Sequence, residues 1–502
     1  MSPVIDTGQT SWQNKHQTYI QPLRGLLQAV NDPPQAGDPL QRYNSMTRSL
    51  RALIQRALQE GVRLRAFGGG WSFSGAPSTD GYLLDTSPLN LWFRIRARAI
   101  HPDYRGPRDG LYFVQCGNSI AGLNRNLRAE QRSLRTTGAS NGQSIVGAMS
   151  TGTHGSAIDV GAIQDYVVGI HLVVGPDRHL WIERASHPVT TDGFAGLLGA
   201  EPRRDDELFN AVLVSFGAFG LIHGVMLETE PIFLFEMHRV RRPLDDRLRA
   251  AITTLEFAGA GFPGGDDRPR HFEVVANPYD MDAGVYVTAM YRRPFRPDYP
   301  RPPQGDLAPG DDALQFVGTV TDAIPQLIPT VMTAAVRAQY KTTAAPLEGT
   351  TSDIFPTTTT RGKASGTAIA VPLDRALDTM ELILSINRDH GPFPCLVALR
   401  FVPRTQALLG FTRFERSCIV DVDGTLSNRT RSFYSRIWQS LAASDIPYAM
   451  HWGKIMGLSA AEARRLYGGN VDRWLRARRG LLTPPLRRAF SNRFLEELDL
   501  AG

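Results

Sequence analysis

The chain has 502 residues, enough for two or three domains that each bury a core of their own. Hydrophobic residues make up 42% and charged residues 21%, as in ordinary globular proteins, and no apolar run approaches the roughly 20 residues that span a bilayer. The net charge of +6 is spread along the chain rather than gathered in one basic stripe. We therefore expect neither a nucleic-acid partner nor a membrane partner.

The cysteines and the N-terminal stretch carry little functional signal. Cys116, Cys395 and Cys418 lie far apart, which excludes a CxxC metal site, and we expect no metal. The first residues, MSPVIDTGQTSWQNKHQ, are polar and contain no basic segment followed by an apolar one. We therefore expect a cytoplasmic protein.

The first predicted helix and strand lead into three consecutive glycines. Apolar residues at helical spacing from Leu50 to Leu58 predict a helix, which Ser45 would cap and Gly61 would end, and residues 62–67 alternate as a strand. The glycines at 68–70 allow the backbone to turn sharply and to bring its N–H groups against a diphosphate. Glycine turns after strands are common, and most of them bind nothing.

Short strands and one helix follow, and then a stretch of small residues. Residues 82–85, 111–115 and 179–183 read as strands, residues 163–175 as a longer one, and Leu123 and Leu127 belong to a helix entered after Gly117. In residues 136–155 small and hydroxyl side chains dominate and no period persists. Such a segment either packs its backbone against a flat or anionic ligand or forms a crowded loop between strands. Residues 208–228 predict a helix, a glycine turn and a strand.

The second half of the chain predicts a separate unit of sheet and helix. Strand patterns occupy residues 271–276, 285–291, 367–372 and 396–402, with a helix over 373–387. Residues 257–267 are rich in glycine and proline, and the proline-dense residues 292–312 must be irregular. Helices over 460–467 and 470–479 close the chain. The fold class expected is α+β.

Four motifs in order carry a family resemblance: GGGWS at 68–72, STGTHGS at 150–156, GAFGLIHGVML at 217–227 and HWGK at 451–454. Together they resemble the vanillyl-alcohol-oxidase, or PCMH-type, FAD-binding oxidoreductases, particularly the sugar-lactone and alditol oxidases. The resemblance implies an FAD-binding PCMH-type domain over residues 1–228. It also implies a substrate-binding cap with an antiparallel sheet over 229–446, and a segment over 447–502 that completes the FAD domain and the active site.

The resemblance also assigns residues to the cofactor. The glycine turn would wrap the diphosphate, the small-residue segment would run along the diphosphate and the ring, and the turn near residue 220 would close on the adenosine side. The implied FAD-binding residues are Phe67, Gly68, Gly69, Gly70, Trp71, Ser72, Gly138, Ala139, Ser140, Asn141, Ser144, Gly147, Ala148, Ser150, Thr151, Gly152, Thr153, His154, Gly220, Leu221, Ile222 and Val225.

Two departures from the family pattern concern covalent attachment of the flavin. Many relatives have a histidine, bonded to the flavin 8α-methyl group, where this chain has Trp71, and indole offers no such nucleophilic nitrogen. Relatives with a second, cysteinyl bond carry it in the loop that here runs from Gly138 to Asn141 without a cysteine. The expectation is therefore noncovalent FAD, with Trp71 near the dimethylbenzene edge.

A third departure concerns the substrate. In the alditol and lactone oxidases a glutamate lies two positions before the arginine of the strand that here reads LVALRFV. This chain keeps Arg400 but has Ala398 at the glutamate position. A free polyol is therefore a less favoured substrate, and Arg400 could also be no more than a surface cation.

The chemistry implied is an oxidase that removes a hydride from a CH–OH or similar carbon of a small molecule to flavin N5, with dioxygen as acceptor. Arg400 and Lys454 would stabilise the reduced ring, and His451 would act as base or hold tail and cap together. Gly152 would leave room for dioxygen. The alternatives are an FAD-dependent dehydrogenase and a flavin-binding protein without turnover. Four aromatic residues line a cap pocket or belong to the core: Tyr279, Tyr291, Phe355 and Trp438.

Overall fold

The computed structural model describes residues 2–302, 318, 321–355 and 363–502. The predicted proline-dense segment at 292–312 lies outside the described residues from 303 onward, and its first residues, 292–294, still belong to a strand. The fold is α+β, as the sequence predicts.

The strands, in chain order, are β1 (Val4–Asp6), β2 (Ser11–Gln13), β3 (Ile20–Pro22), β4 (Gly25–Ala29), β5 (Leu64–Phe67), β6 (Tyr82–Asp85), β7 (Trp92–Arg94), β8 (Leu111–Gln115), β9 (Arg132–Ser133), β10 (Val167–Val173), β11 (His179–Glu183), β12 (Glu201–Arg204), β13 (Leu221–Glu228), β14 (Glu230–Pro231), β15 (Phe233–Arg242), β16 (His271–Ala276), β17 (Val285–Pro294), β18 (Leu347–Gly349), β19 (Ala364–Pro372), β20 (Cys395–Pro403), β21 (Arg416–Thr425) and β22 (Ala449–Met450).

The α-helices are α1 (Pro39–Glu60), α2 (Ile120–Ala129), α3 (Ile145–Thr151), α4 (Asp192–Leu198), α5 (Asp206–Leu213), α6 (Asp246–Thr254), α7 (Ile328–Gln339), α8 (Thr351–Ile354), α9 (Ala376–His390), α10 (Asn428–Ala443), α11 (Ala460–Tyr467), α12 (Gly469–Leu481), α13 (Pro484–Ala489) and α14 (Arg493–Glu497).

Among the described residues, two larger sheets and the two-stranded sheets β2-β3 and β14-β9 belong to the first half of the chain, and one large sheet belongs mainly to the second. The first half forms a four-stranded sheet in the order β1-β4-β6-β5 and a six-stranded sheet in the order β12-β11-β10-β13-β8-β7. The third sheet has the order β18-β15-β17-β16-β20-β21-β19-β22 and pairs its strands antiparallel throughout. Its last strand, β22, comes from the predicted C-terminal segment, so that segment reaches into the sheet of the predicted cap.

The start of α1 corrects one expectation. Asp38, not Ser45, caps this helix: its carboxylate accepts a hydrogen bond from the Gln41 N–H, and the Gln41 side chain accepts one from the Asp38 N–H. Ser45 lies inside the helix and is buried. Gly61 ends α1 as predicted, with the positive φ of 65° that suits glycine.

The small-residue segment is more regular than its sequence suggests. It contains α3, which Ser144 begins by accepting a hydrogen bond from the Gly147 N–H at 3.3 Å. Gly152 ends α3 with a φ of 82°. Seven positions are too few to show a helical period. In the sequence, only the two capping residues, Ser144 and Gly152, could have indicated this helix.

Two elements between residues 403 and 446, β21 and α10, have no predicted counterpart. The strand β21 reads RSCIVDVDGT and lies between β20 and β19. It is the element with the greatest consequence for the site, because it carries two acidic residues on one face. Among the described residues, no helix is both long and apolar enough to cross a bilayer, and no cluster of His, Cys, Asp or Glu side chains could hold a metal ion.

We predict that α12 is required to stabilise the first half of the chain. Trp474 on this helix is fully buried, lies against the rings of Phe216 and Phe219, and donates a hydrogen bond from Nε1 to the Val214 carbonyl at 3.3 Å. Replacing Trp474 with alanine should lower the free energy of unfolding by about 3–5 kcal/mol, because it leaves a large cavity. Chemical denaturation followed by fluorescence and circular dichroism measures the change.

Arg476, on the same helix, supplies the control. Its side chain is largely exposed, and its Nη2 lies 3.9 Å from Glu207, so Arg476→Ala should change stability by less than about 0.5–1 kcal/mol. Equal stability of the Trp474→Ala variant and the wild type would show that the C-terminal helices are not part of the first half's core.

Candidate active site

A cavity of about 330 Å³ lies where the loops predicted to bind the cofactor meet the large sheet. This volume is within the usual range of ligand pockets. Most of the residues predicted for the cofactor line it, together with all three predicted catalytic residues: Phe67, Gly68, Gly69, Gly70, Trp71, Ser72, Gly138, Ala139, Ser140, Ser144, Gly147, Ala148, Ser150, Thr151, Thr153, His154, Gly220, Leu221, Ile222, Arg400, His451 and Lys454.

Three residues predicted for the cofactor lie away from the cavity wall. Val225 is buried within β13, and Asn141 donates a hydrogen bond from its side chain to the Phe355 carbonyl. Gly152 ends α3 with a φ of 82°, a backbone conformation that favours glycine. This conformation is a reason for glycine that is independent of dioxygen.

Two glycines allow the first loop to approach the second closely. A Cβ on Gly68 would lie 1.9 Å from Ser144 Oγ, and a Cβ on Gly69 would lie 2.7 Å from the Gly142 carbonyl oxygen. Neither distance is possible between non-bonded atoms, so the loops can meet in this way only without side chains at 68 and 69. The cavity wall here is backbone, as the binding of a large anionic ligand requires.

The HWGK tail, residues 451–454, is hydrogen-bonded to the glycine loop, residues 68–75. The Phe73 N–H donates to the Gly453 carbonyl at 2.8 Å, and Ser74 Oγ donates to the Trp452 carbonyl at 2.6 Å. Trp452 is fully buried and donates from Nε1 to the Leu409 carbonyl. These bonds fix His451 and Lys454, on either side of the buried tryptophan, at the cavity wall.

Trp71 covers part of the cavity between the two loops. A Cβ on Gly142 would lie 2.4 Å from Trp71 Cζ2, so the indole lies directly against that glycine. Lys15 Nζ lies 3.8 Å from the centre of the Trp71 ring, which is cation–π distance. The indole therefore contacts both the Gly142 backbone and the Lys15 ammonium group.

His16 also lines this part of the cavity, and nothing in the sequence singles it out. Its ring stacks on Phe73 with centroids 4.3 Å apart and meets the Trp71 ring edge-on at 5.2 Å. It is buried, and its Nδ1 has no hydrogen-bond partner among the described residues. Burial and the nearby Lys454 lower the pKa of His16 to about 3, so its imidazole is neutral at pH 7.

Arg400 lies between two carboxylates from neighbouring strands. Its Nε donates to Glu273 Oε1 on β16 and its Nη1 to Asp421 Oδ2 on β21, both at 2.8 Å. Burial alone would lower the pKa of Arg400, but Asp421 and Glu273 outweigh burial and hold that pKa well above its ordinary value. Arg400 is therefore a largely buried, paired cation rather than a surface one.

Lys454 is paired as well. Its Nζ donates to Asp423 Oδ1 at 2.8 Å and lies 3.8 Å from Asp421 Oδ1. Burial opposes the charges on both Lys454 and Asp423, yet their attraction raises the pKa of Lys454 and lowers that of Asp423. Both cations predicted to stabilise a reduced flavin ring therefore have carboxylates beside them.

Two neutral imidazoles face the cavity in opposite tautomers. His154 Nδ1 lies 2.9 Å from the Gly155 carbonyl, which can only accept, so Nδ1 carries the proton and Nε2 has the lone pair. His451 Nδ1 accepts from the Gly453 N–H at 2.9 Å, so the proton of His451 is on Nε2. Burial lowers the pKa of His154 to about 4 and that of His451 well below its ordinary value. His154 offers an acceptor and His451 a donor.

The four aromatic residues considered for a cap pocket do not line the cavity. Tyr291 lies against Gly264, and the Tyr279 hydroxyl donates to the Phe393 carbonyl. Trp438 donates to Thr367, and Phe355 packs against Phe235. They pack with their neighbours, which was the alternative expectation from the sequence.

The site residues that the sequence analysis missed are the acidic ones and His16. Asp421 and Asp423 occur as D-V-D in an alternating strand pattern, so their i, i+2 spacing on one face was a usable signal. Glu273 gave no signal, because its role depends on its pairing with Arg400 across two strands. His16 comes from a polar segment without any motif.

The FAD binding domain family matches residues 45–181 of this chain. The chain contains a PCMH-type FAD-binding domain. The matched range includes the glycine turn, α3 and the small-residue loop, which together form one wall of the cavity. The predicted cofactor, FAD, is thereby confirmed.

The chain is similar to sugar-lactone oxidoreductases over most of its length. It is 23% identical over 424 residues to "L-gulono-1,4-lactone dehydrogenase" of Mycobacterium tuberculosis, which covers 83% of this chain and 87% of that protein. It is 37% identical to "L-gulonolactone oxidase 3" of Arabidopsis thaliana over 157 residues, 31% of this chain and 23% of that protein. With the FAD domain, these matches make the chain an FAD-dependent oxidoreductase.

Solved flavoproteins share the fold. A variant of cholesterol oxidase from Brevibacterium sterolicum superimposes with a TM-score of 0.70 at 13% identity, covering 99% of this chain and 97% of that one. Glucooligosaccharide oxidase from Acremonium strictum, whose FAD is described as 6-S-cysteinyl, 8α-N1-histidyl, gives a TM-score of 0.60 at 12% identity, with 94% and 92% covered. The predicted PCMH-type fold with its antiparallel-sheet domain is confirmed.

Two features of the cavity fit FAD. Gly68 and Gly69 line it with backbone, and this backbone cradle depends on glycine because a side chain at either position would collide with the second loop. Among the described residues, His16 Nδ1 is a buried polar atom at the cavity wall that has no hydrogen-bond partner. Buried polar atoms in folded proteins are nearly always paired, so this atom indicates a bound group.

We predict that Gly68→Ala weakens FAD binding at least about tenfold, because the added methyl group would push Ser144 and the second loop out of place. Quenching of flavin fluorescence on titration into apoprotein measures the dissociation constant. Gly480→Ala is the matched control, since a Cβ on Gly480 meets nothing within 4 Å. Unchanged affinity in the Gly68→Ala variant would contradict the cradle.

Proposed function

We propose that the protein oxidises a CH–OH carbon of a polyhydroxylated small molecule related to sugar lactones, with dioxygen as electron acceptor and FAD held without a covalent bond. The observation that carries this proposal is one cavity that is lined both by the backbone cradle and by charged side chains. These side chains are Arg400, Lys454, Asp421 and Asp423, and Glu273 pairs with Arg400. The names of the relatives supply the substrate class.

The residues that would hold FAD are those of the glycine turn, of α3 with the loop after it, and of the turn at 216–222. Bound FAD supplies the two-electron acceptor for the hydride of the substrate. The protein's contribution is to place the carbon that bears the hydroxyl group and to receive the hydroxyl proton.

His154 is the side chain best suited to receive that proton. The sequence favoured His451 as base, but the hydrogen bond from the Gly453 N–H puts the proton of His451 on Nε2 and makes it a donor. His154 Nε2 has a lone pair, because Nδ1 donates to the Gly155 carbonyl. We therefore propose that His154 accepts the hydroxyl proton and that His451 donates a hydrogen bond to the same oxygen as it becomes a carbonyl.

Arg400 and Lys454 would act mainly as hydrogen-bond donors to the substrate. Each cation already has a carboxylate partner at 2.8 Å, so neither brings an uncompensated positive charge to the flavin. Their remaining N–H groups can still bind hydroxyl or carbonyl oxygens. This use of the two cations suits a neutral polyhydroxylated molecule.

Oxidase activity is the first prediction of this proposal. Under nitrogen, a panel of sugar lactones and alditols should include a compound that bleaches the flavin absorption band. Admission of air should then restore the band and release one hydrogen peroxide per flavin.

A band that stays bleached in air and returns on addition of a quinone or dye would favour the alternative, a dehydrogenase. Failure of every compound to bleach the band would favour a flavin-binding protein without turnover. The cytoplasmic location expected from the sequence stays a prediction.

Noncovalent binding of FAD is the second prediction. Because Trp71 occupies the position of the expected histidine, acid precipitation of the purified protein should release the yellow colour into the supernatant. Colour in the pellet would contradict this expectation. His16→Ala then tests the imidazole that lies beside Trp71, because loss of the retained colour in that variant would identify His16 as the attachment point.

A further inference from the structure

Three neighbouring strands place acidic and basic side chains on one face of the large sheet. Glu273 on β16 pairs with Arg400 on β20, and Asp421 on β21 pairs with Ala398 on β20. Since alternate residues of a strand share a face, Asp423 lies on the same face as Asp421. We call Glu273, Arg400, Asp421, Asp423 and Lys454 the charged wall.

The carboxyl groups of the charged wall share their cations. Arg400 donates to Glu273 and to one oxygen of Asp421, and Lys454 donates to Asp423. Arg239, in the same cross-strand row as Glu273, also lowers the pKa of Glu273. Asp421 shares Arg400 with Glu273, and only one of its two oxygens accepts that hydrogen bond.

Asp421 is the carboxyl group with an oxygen left over. It is fully buried from solvent and lines the cavity. Its Oδ1 has no hydrogen-bond partner among the described residues, and Lys454 Nζ lies 3.8 Å away from it. A buried carboxylate oxygen without a donor is costly, so its retention at a cavity wall indicates that a ligand supplies the donor.

We propose that Asp421 Oδ1 binds a proton-donating group of the substrate, so that the site selects by charge: it prefers an ammonium group, accepts a hydroxyl group and rejects a carboxylate. This inference rests on the proposed function, of which it specifies the substrate class. Asp421 thereby supplies the carboxylate that Ala398 does not. It does so from the adjacent strand, opposite Ala398 in the register.

A matched series of three molecules tests the inference. D-glucitol, 1-amino-1-deoxy-D-glucitol and D-gluconate share one six-carbon chain and differ in charge at the first carbon at about pH 7.5. Their dissociation constants for the FAD-loaded protein are measured under nitrogen, by calorimetry and by the flavin difference spectrum. The wild type should bind the amino compound about tenfold tighter than glucitol, and gluconate about tenfold weaker.

Asp421→Asn should remove this order and bring the three dissociation constants within about threefold of one another, because the amide keeps the shape but not the charge. Asp378→Asn is the matched control. Asp378 is an exposed carboxylate on α9, paired with Arg375 away from the cavity, and its loss should leave the order unchanged. FAD content and the circular dichroism spectrum verify that each variant is folded.

Retention of the wild-type order by a folded Asp421→Asn variant would overturn the inference. Equal affinity of the wild type for all three compounds would overturn it too, and this outcome decides the matter even if the variant does not fold. If none of the three compounds binds, the inference that Asp421 binds a donor group of the substrate is overturned as well. The proposed function fails by a different result, when no lactone or alditol bleaches the flavin.

Discussion

The close approach of two backbones at Gly68 and Ser144 is the constraint on which the rest of the site depends. A side chain at 68 would occupy the space of Ser144 Oγ, which begins α3 and thereby orients the loop that ends in His154. The same glycine loop bonds to the HWGK tail through Phe73 and Gly453. The glycine loop thus contacts both α3 and the HWGK tail. The glycines and the tail, about 380 residues apart along the chain, therefore belong to one structural unit.

Much of the fold could be read from local signals. The strands β6, β11 and β16 and the helix α11 occur at the residues that the sequence predicts. The three strands are short runs buried on nearly every residue, and α11 buries one face. The failures have local causes too. Asp38 outcompetes Ser45 as a cap because Gln41 completes its capping box, and α3 is too short to show a period.

The residues of the site also divide into those that local sequence signals predict and those that they do not. The parts built from backbone were predictable, because glycines and small residues mark them in the sequence. The parts built from pairing between strands were not, since Glu273, Arg400 and Asp421 come from three strands that are up to about 150 residues apart, and only the register of the sheet brings them together. The histidine tautomers likewise depend on the Gly155 carbonyl and the Gly453 N–H, which no sequence motif specifies.

The charged wall also shows why a single substituted position is a weak guide to substrate. Ala398 removes a carboxylate from β20, and by itself this favours a substrate without free hydroxyl groups. A largely buried arginine needs hydrogen-bond acceptors for its guanidinium, because the cost of desolvating that group is several kcal/mol. Here Glu273 and Asp421 supply these acceptors from the strands on both sides of β20. The second oxygen of Asp421 has no hydrogen-bond partner among the described residues. Asp421 on β21 thus provides, opposite Ala398, a carboxylate that β20 lacks, and this carboxylate lines the cavity.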